Sequence, residues 1–265
     1  KVIDAASRSV QWTWNPGNYT VELAVADIDQ DSIGELAAMD RTFGLTAFDV
    51  ATGATLWQLP ARESAFRFVD VENDGQLELL YLSTLSSHYV CCDALTLAEN
   101  WRLYIDQGVA EDVAMVDFNL DNTKELVWSA GDGQCQIQIL DWRTAAVLWQ
   151  NDFRPSSWIG PEIGDLDQDG EPEVVAAAPY SDLGRNGGML AVFHLDNDDP
   201  VAYFGPVAND LCGTGVHDVR LRDVDRNGES EILVGTDYLY DGRIEIYDYA
   251  AGVFTLQWTN ATLPS

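Results

Sequence analysis

The chain has 265 residues, 46% of them hydrophobic, and a formal net charge of −30 from 44 acidic against 14 basic side chains. So acidic a surface repels nucleic acid and anionic headgroups, and no apolar run approaches the ~18 residues of a membrane-spanning helix, so nucleic-acid binding and direct membrane insertion are both set aside. The even spread of apolar residues argues against disorder, and the length suits two ordinary domains or one large all-β domain.

In chain order, residues 1–14 carry the first copy of a recurring spacing, an Asp followed eight residues later by an aromatic: Asp4/Trp12, Asp49/Trp57, Asp93/Trp101, Asp141/Trp149 and Asp196/Phe204, with Asp248/Trp258 stretched to ten. Between these copies lie five acidic nonapeptides, starting at residues 27, 70, 117, 165 and 223. Their side chains at positions 1, 3, 5 and 9 are Asp27, Asp29, Asp31 and Glu35; Asp70, Glu72, Asp74 and Glu78; Asp117, Asn119, Asp121 and Glu125; Asp165, Asp167, Asp169 and Glu173; and Asp223, Asp225, Asn227 and Glu231. An alternating run such as Val21–Val25 leads into each loop, and an aliphatic strand such as Val174–Ala178 leaves it. A third strand ends at the repeated Asp and a fourth at the aromatic.

A period of about 40–50 residues with four strands per unit predicts an all-β fold, a β-propeller of four-stranded blades, and no helix. The units span 20–60, 63–104, 110–152, 158–206 and 216–259, with 1–14 a half-blade, all in a single domain over 1–265. Five full repeats and a half-blade predict six or seven blades in the closed form, the chain being a fragment of a larger propeller. The fourth unit departs most, with extra residues at 179–188 and a long connection at 205–215. Insertions in repeat arrays map to one rim, so Tyr180, Asp182 and Arg185 form the expected ligand surface.

Oxygen ligands at alternating positions around a turn suit a hard cation, and the lack of Cys or His in the loops argues against zinc or copper. Calcium, with six to eight oxygens, fits better than magnesium's strict octahedron, giving up to five Ca2+. The loops are not EF-hands, whose bidentate Glu falls at position 12 between helices. Glycine at position 6 of loops two, four and five permits the positive φ of a sharp turn; loop one has Ser32 there and loop three Asn122. Neutral ligands weaken affinity, so the expected order is loop four, then two and five, then one and three.

The D-x-D-x-D-G-x-x-[DE] pattern followed by an aliphatic strand resembles the FG-GAP/VCBS-type repeats of integrin α-like, calcium-binding β-propellers. That resemblance implies a propeller whose inner hairpin loops bind calcium. The segment Ala47-Phe48-Asp49-Val50-Ala51-Thr52-Gly53-Ala54-Thr55-Leu56-Trp57 resembles the tryptophan-docking motif of quinoprotein propellers, with Ala54 where Lys is usual. In that family the motif packs blades together and binds no cofactor.

Of four cysteines, Cys91, Cys92, Cys135 and Cys212, none has zinc-type spacing, and Cys91-Cys92 resembles the adjacent pair of some quinone-dependent dehydrogenases. His88, His194 and His217 are scattered and read as surface or packing residues. Glu22, Asp112 and Asp218, five residues before their loops, and Arg67, Glu162 and Arg220, three before theirs, read as polar lining of a central channel. Trp142 and Trp158 are candidates to stack on sugars, set against core packing as the default role of Trp. These features describe a non-catalytic calcium-binding module for adhesion, recognition or assembly, located extracellularly, at the cell surface or in the periplasm. Its partner is a protein or glycan, and the module acts alone or as part of a larger assembly. The alternative is a polysaccharide lyase or hydrolase, or a quinoprotein-like redox enzyme, on the same repeats.

Overall fold

Strand follows strand along the computed structural model, from Val2 to Thr259, and no helix occurs among the described residues. The structure describes residues 1–4, 6–16, 20–40, 44–60, 63–83, 87–104, 110–130, 136–151, 158–178, 189–196, 202–204, 216–236, 243–250 and 252–260. The chain divides into two bodies, Lys1–Asp106 and Gln107–Ser265.

The first body opens with a two-stranded sheet, β1 (Val2–Ile3) and β2 (Val10–Trp12). Two four-stranded antiparallel meanders follow. The first sheet is β3 (Thr20–Ala26), β4 (Glu35–Asp40), β5 (Gly44–Phe48) and β6 (Thr55–Leu59). The second is β7 (Glu63–Val69), β8 (Glu78–Ser83), β9 (His88–Asp93) and β10 (Glu99–Tyr104). The other body holds three more. The third sheet is β11 (Ala110–Val116), β12 (Glu125–Ala130), β13 (Ile137–Asp141) and β14 (Ala146–Gln150). The fourth is β15 (Ile159–Gly164), β16 (Glu173–Ala178), β17 (Met189–His194) and β18 (Ala202–Phe204). The fifth is β19 (Val216–Arg222), β20 (Glu231–Thr236), β21 (Ile244–Ala250) and β22 (Val253–Thr259).

Within each body neighbouring meanders pack face to face, which explains second strands whose central residues are apolar on both faces rather than at alternate positions. In β16, Val174 and Ala176 join Val127, Ile139, Trp149 and Phe193 in one core. Val175 and Ala177 point the other way, into a core with Val219, Ile232, Val234 and Tyr247. In the first body the equivalent layer packs Ala37, Met39 and Leu45 against Phe66, Leu79 and Cys92. First strands of successive sheets lie side by side, β3 by β7 in one body and β11 by β15 by β19 in the other. A bulge interrupts the first-to-second strand ladder in all five sheets, at Thr20/Glu22, Glu63/Phe66, Ala110/Asp112, Ile159/Glu162 and Val216/Asp218. Bulges at one register increase the local twist in the same way each time.

The repeated Asp and Trp have separate tasks. The Asp caps the hairpin between third and fourth strands. Asp49 Oδ1 accepts from Thr52 N–H at 2.8 Å, Asp93 Oδ1 from both the N–H and the hydroxyl of Thr96 at 2.6 Å, and Asp141 Oδ2 from the Thr144 hydroxyl at 2.8 Å. The Trp ties its sheet to the next one. Trp12 Nε1–H donates to the Val50 carbonyl at 2.7 Å, and Trp57 Nε1–H to the Ala94 carbonyl at 2.9 Å. Each acceptor is the residue just after the next sheet's capping Asp. Gly53, at φ 74°, gives the Trp12 ring its seat, for a Cβ there would lie 2.9 Å from the ring.

The fourth sheet breaks this register. Ala47, Cys91, Ile139 and Ile246, each two residues before an Asp, pair with Trp57, Trp101, Trp149 and Trp258. In the fourth sheet Phe193 faces Val174 as Phe48 faces Leu36, which puts His194 at the Asp place, while Val192 pairs with Ala202. The Asp196/Phe204 spacing is therefore offset by two residues from the other copies, a coincidence of composition beside the lengthened connections.

Candidate functional site

All five acidic nonapeptides join a first strand to a second. Their backbone takes the same path. At position 4, Gln30, Asn73, Leu120, Gln168 and Arg226 have φ between 59 and 65°. At position 6, Ser32, Gly75, Asn122, Gly170 and Gly228 have φ between 66 and 95°. Two left-handed residues in nine reverse the chain tightly, and only the second is marked by glycine.

The acidic side chains hold this shape by accepting backbone N–H groups, and Asp70, Asp117 and Asp223 use both carboxylate oxygens to do so. The position 6 N–H donates to the position 1 carboxylate at 2.8–3.1 Å: Ser32 to Asp27, Gly75 to Asp70, Asn122 to Asp117, Gly170 to Asp165 and Gly228 to Asp223. The position 7 N–H donates to the position 5 side chain at 2.6–2.8 Å, on Asp31, Asp74, Asp121, Asp169 and Asn227. Position 3 accepts from the position 5 N–H on Asp29, Asn119, Asp167 and Asp225, whereas in loop two Asp74 N–H turns to Asp70 instead of Glu72. The closing Glu accepts from the position 2 N–H in every loop: Glu35 from Ile28, Glu78 from Val71, Glu125 from Phe118, Glu173 from Leu166 and Glu231 from Val224, at 2.7–3.2 Å.

Oxygens that meet no backbone donor are what remain for a ligand. Glu173 is fully buried, its Oε2 is taken by Leu166, and its Oε1 is buried with no hydrogen-bond partner. Asp27 repeats the arrangement, with Oδ2 on Ser32 and a buried Oδ1 without one. Carboxylate oxygens out of water and without donors are costly, and a cation is the group that satisfies them while preserving the charge. Burial first, and then the neighbouring acidic side chains, raises the pKa of Glu35, Glu78, Glu125 and Glu173 above the ordinary carboxylate value.

Donor atoms converge to within 4.8 Å in three loops: Asp27, Asp29 and Glu35 in loop one; Asp165, Asp167 and Asp169 in loop four; Asp223, Asp225 and Glu231 in loop five. The expected order placed loop two ahead of loop one. Among the described residues the loop-two carboxylates close no such group, in keeping with Glu72, whose longer side chain stands where the other loops have Asp or Asn. Loop three shares the frame but offers the amide of Asn119 at position 3. A fourth group joins Asp167 and Glu173 to His194, which sequence reasoning left as a surface or packing residue. The signal that finds it is strand register, not local motif.

Other candidates resolve differently. Trp158 is fully buried against Phe193, ring centroids 5.5 Å apart, which fits core packing, its default reading, and removes it as a sugar platform. The Trp142 ring is covered by the Arg143 guanidinium at 4.2 Å. Cys91 and Cys92 are buried free thiols, and burial pushes Cys92 up to about 12 and Cys91 higher, so neither is a thiolate near neutrality. Cys135 and Cys212 lie outside the described residues, as do Tyr180, Asp182 and Arg185 of the expected ligand surface. The first-strand polar residues pair between neighbouring sheets: Arg67 with Glu22, and Arg220 with Glu162 at 3.4 Å, Arg220 also meeting Asp218 at 2.9 Å.

Comparison with known proteins agrees with this construction. Residues 160–193, spanning loop four and strands β15 to β17 up to Phe193, match the FG-GAP repeat. Human integrin alpha-6 is 26% identical over 166 residues, 51% of this chain, and the chain spans 13% of that protein's length. Among solved structures, one of the mitotic checkpoint complex aligns with TM-score 0.65 at 13% identity, over 97% of this chain and 72% of that one. The structure of U3-55K gives 0.59 at 13% over 85% and 63%, and the computationally designed Ika8 protein 0.53 at 12% over 91% and 74%. At such identities the likeness is one of fold alone. The matched repeat at residues 160–193 and the integrin likeness together support an FG-GAP, integrin-α-like repeat family.

Proposed function

We propose that residues 1–265 form a single β-propeller domain of four-stranded blades, six or seven in its closed form, stabilised by calcium in its acidic loops. The side chains at positions 1, 3, 5 and 9 of each loop would hold the ion, with up to five ions per chain. The observation that carries this reading is the fully buried Glu173 Oε1, which has no hydrogen-bond donor beside Asp167. The FG-GAP match over this same loop supports it. Bound calcium neutralises the clustered carboxylates and fixes the hairpins; it supplies charge, and the loop shape comes from the backbone hydrogen bonds.

The module is non-catalytic and acts in adhesion, recognition or assembly outside the cytoplasm, where millimolar calcium suits loops of modest affinity. Its partner is a protein or a glycan, and the integrin likeness favours a protein partner or companion subunit. Equilibrium dialysis of the whole chain tests the metal reading: uptake of several calcium ions at about 0.1–1 mM is expected, loop four first. No uptake at several millimolar overturns it. Incubation with a glycan library tests the rest, because released products would make the chain an enzyme.

A further inference from the structure

Loop four differs from the others in what stands across the sheet from its closing glutamate. In the second sheet Glu78 pairs with Asp93. Extending the paired register by one residue puts Glu35 opposite Asp49, Glu125 opposite Asp141 and Glu231 opposite Asp248. In the fourth sheet Glu173 pairs with His194. Among the described residues, the loop whose glutamate faces a nitrogen donor is thus one of the three with acids at all four positions. A ring nitrogen of His194 and one oxygen each of Asp167 and Glu173 lie within 4.8 Å of one another.

A second observation is independent of this clustering. Glu173 is fully buried and its Oε1 has no donor, although Oε2 is used by Leu166. Asp167 also belongs to the all-oxygen group with Asp165 and Asp169, and Glu173 closes the same loop, so the two ligand sets overlap.

We propose that loop four is a mixed nitrogen–oxygen site that takes zinc(II) on His194, Glu173 and Asp167, in competition with calcium on the oxygen set. Imidazole suits zinc and adds nothing for calcium, which takes oxygen. One imidazole and two carboxylates supply three ligands of a tetrahedral ion, with the fourth place open to water. Zinc–donor lengths of about 2.0–2.2 Å draw the three atoms together, and the half-buried Asp167 and His194 have room to turn inward. The inference rests on the cation-loop reading for Asp167 and Glu173 and adds His194 to it.

The test uses the whole chain stripped with chelator and titrated with zinc chloride, with X-ray absorption at the zinc edge to report imidazole. One equivalent with an imidazole signature is expected, bound at least tenfold more tightly than by His194→Ala. His88→Ala should bind as the parent does. Calcium uptake by His194→Ala, measured by dialysis, should match the parent and show that the variant folds. Equal zinc binding by parent and His194→Ala, or an edge without imidazole, overturns the proposal. Loss of the signature in His88→Ala instead does the same. His194-dependent zinc uptake without any calcium uptake would sink the calcium reading and leave this one standing; calcium uptake without it has the opposite meaning.

Discussion

Replacing Glu173 by Gln separates the two jobs its carboxylate performs. The amide oxygen still accepts from Leu166 N–H, now 2.8 Å from Oε2, and the side-chain volume is unchanged. What is lost is a charge that burial and the nearby Asp167 and Asp169 already disfavour. In chelator the substitution should therefore be neutral or slightly stabilising, within about 1 kcal/mol. In calcium the balance reverses. An ion at about 100 times its dissociation constant stabilises the folded chain by about 2.7 kcal/mol, and removing the closing carboxylate forfeits most of that. At about 2–4 °C per kcal/mol for a chain of this size, the melting temperature should drop by about 5–10 °C in calcium and hold steady in chelator. Calorimetry on parent and variant in both buffers reads the difference directly. An equal drop in both buffers would refute the reasoning, for it would make Glu173 a packing residue alone.

Two further outcomes follow from the same geometry. The first concerns pH. Glu35, Glu78, Glu125 and Glu173 have folded pKa values raised by burial, so the folded chain binds their protons more readily than the unfolded chain does. Stability in chelator should fall as pH rises from the unfolded value near ~4.3 through the raised folded values, and acidification within that window should restore it. Calcium needs the same groups ionised, so in calcium stability should rise with pH; one slope in both buffers would contradict the scheme. Asp93, Glu99 and Asp141, lowered by their hydrogen bonds, act in the opposite sense and only below about pH 4. The second concerns the docking tryptophan. Trp57→Phe loses the Nε1–H bond to the Ala94 carbonyl and should cost about 1–2 kcal/mol, while Trp57→Ala opens a cavity and should cost about 3–5 kcal/mol, both read from urea midpoints. A Trp57→Phe chain as stable as the parent would deny that bond any role in joining sheets.

The repeat was legible because its two markers sit at turns, where backbone chemistry restricts the residue. Asp49, Asp93 and Asp141 must cap hairpins, and Gly75, Gly170 and Gly228 must take positive φ, so each announces its place. The left-handed residue at position 4 was not legible. Gln30, Leu120 and Arg226 share no chemistry, because their conformation is imposed by hydrogen bonds from positions on either side. His194 was missed for a related reason. Its role comes from pairing with Glu173, 21 residues away, and the nearby Asp196 carried the expected spacing by coincidence. The fate of Trp158 depended on packing against Phe193, which no local pattern encodes.

Loop three shows what the acidic side chains do for the backbone. It has no glycine, and both Leu120 and Asn122 are left-handed, a conformation that disfavours Leu by about 1–2 kcal/mol. Asn122 tolerates its left-handed place, but nothing in that sequence favours Leu120 there except the side-chain acceptors around it. Asp117 holds the N–H of both Asp121 and Asn122, Asn119 also accepts from Asp121, Asp121 holds Thr123, and Glu125 holds Phe118. Charged acceptors make strong bonds to backbone donors, and a handful at about 1.5–3 kcal/mol each outweighs the strain of two residues. The same charges repel one another once the loop has formed. Hydrogen bonding therefore sets the shape, and neutralisation sets how stable the shape is. In loop four Glu173 spends only Oε2 on the backbone and leaves Oε1 buried without a donor, and in loop one Asp27 does the same with Oδ2 and Oδ1. The backbone hydrogen bonds that set the path recur in all five loops, which therefore share one design.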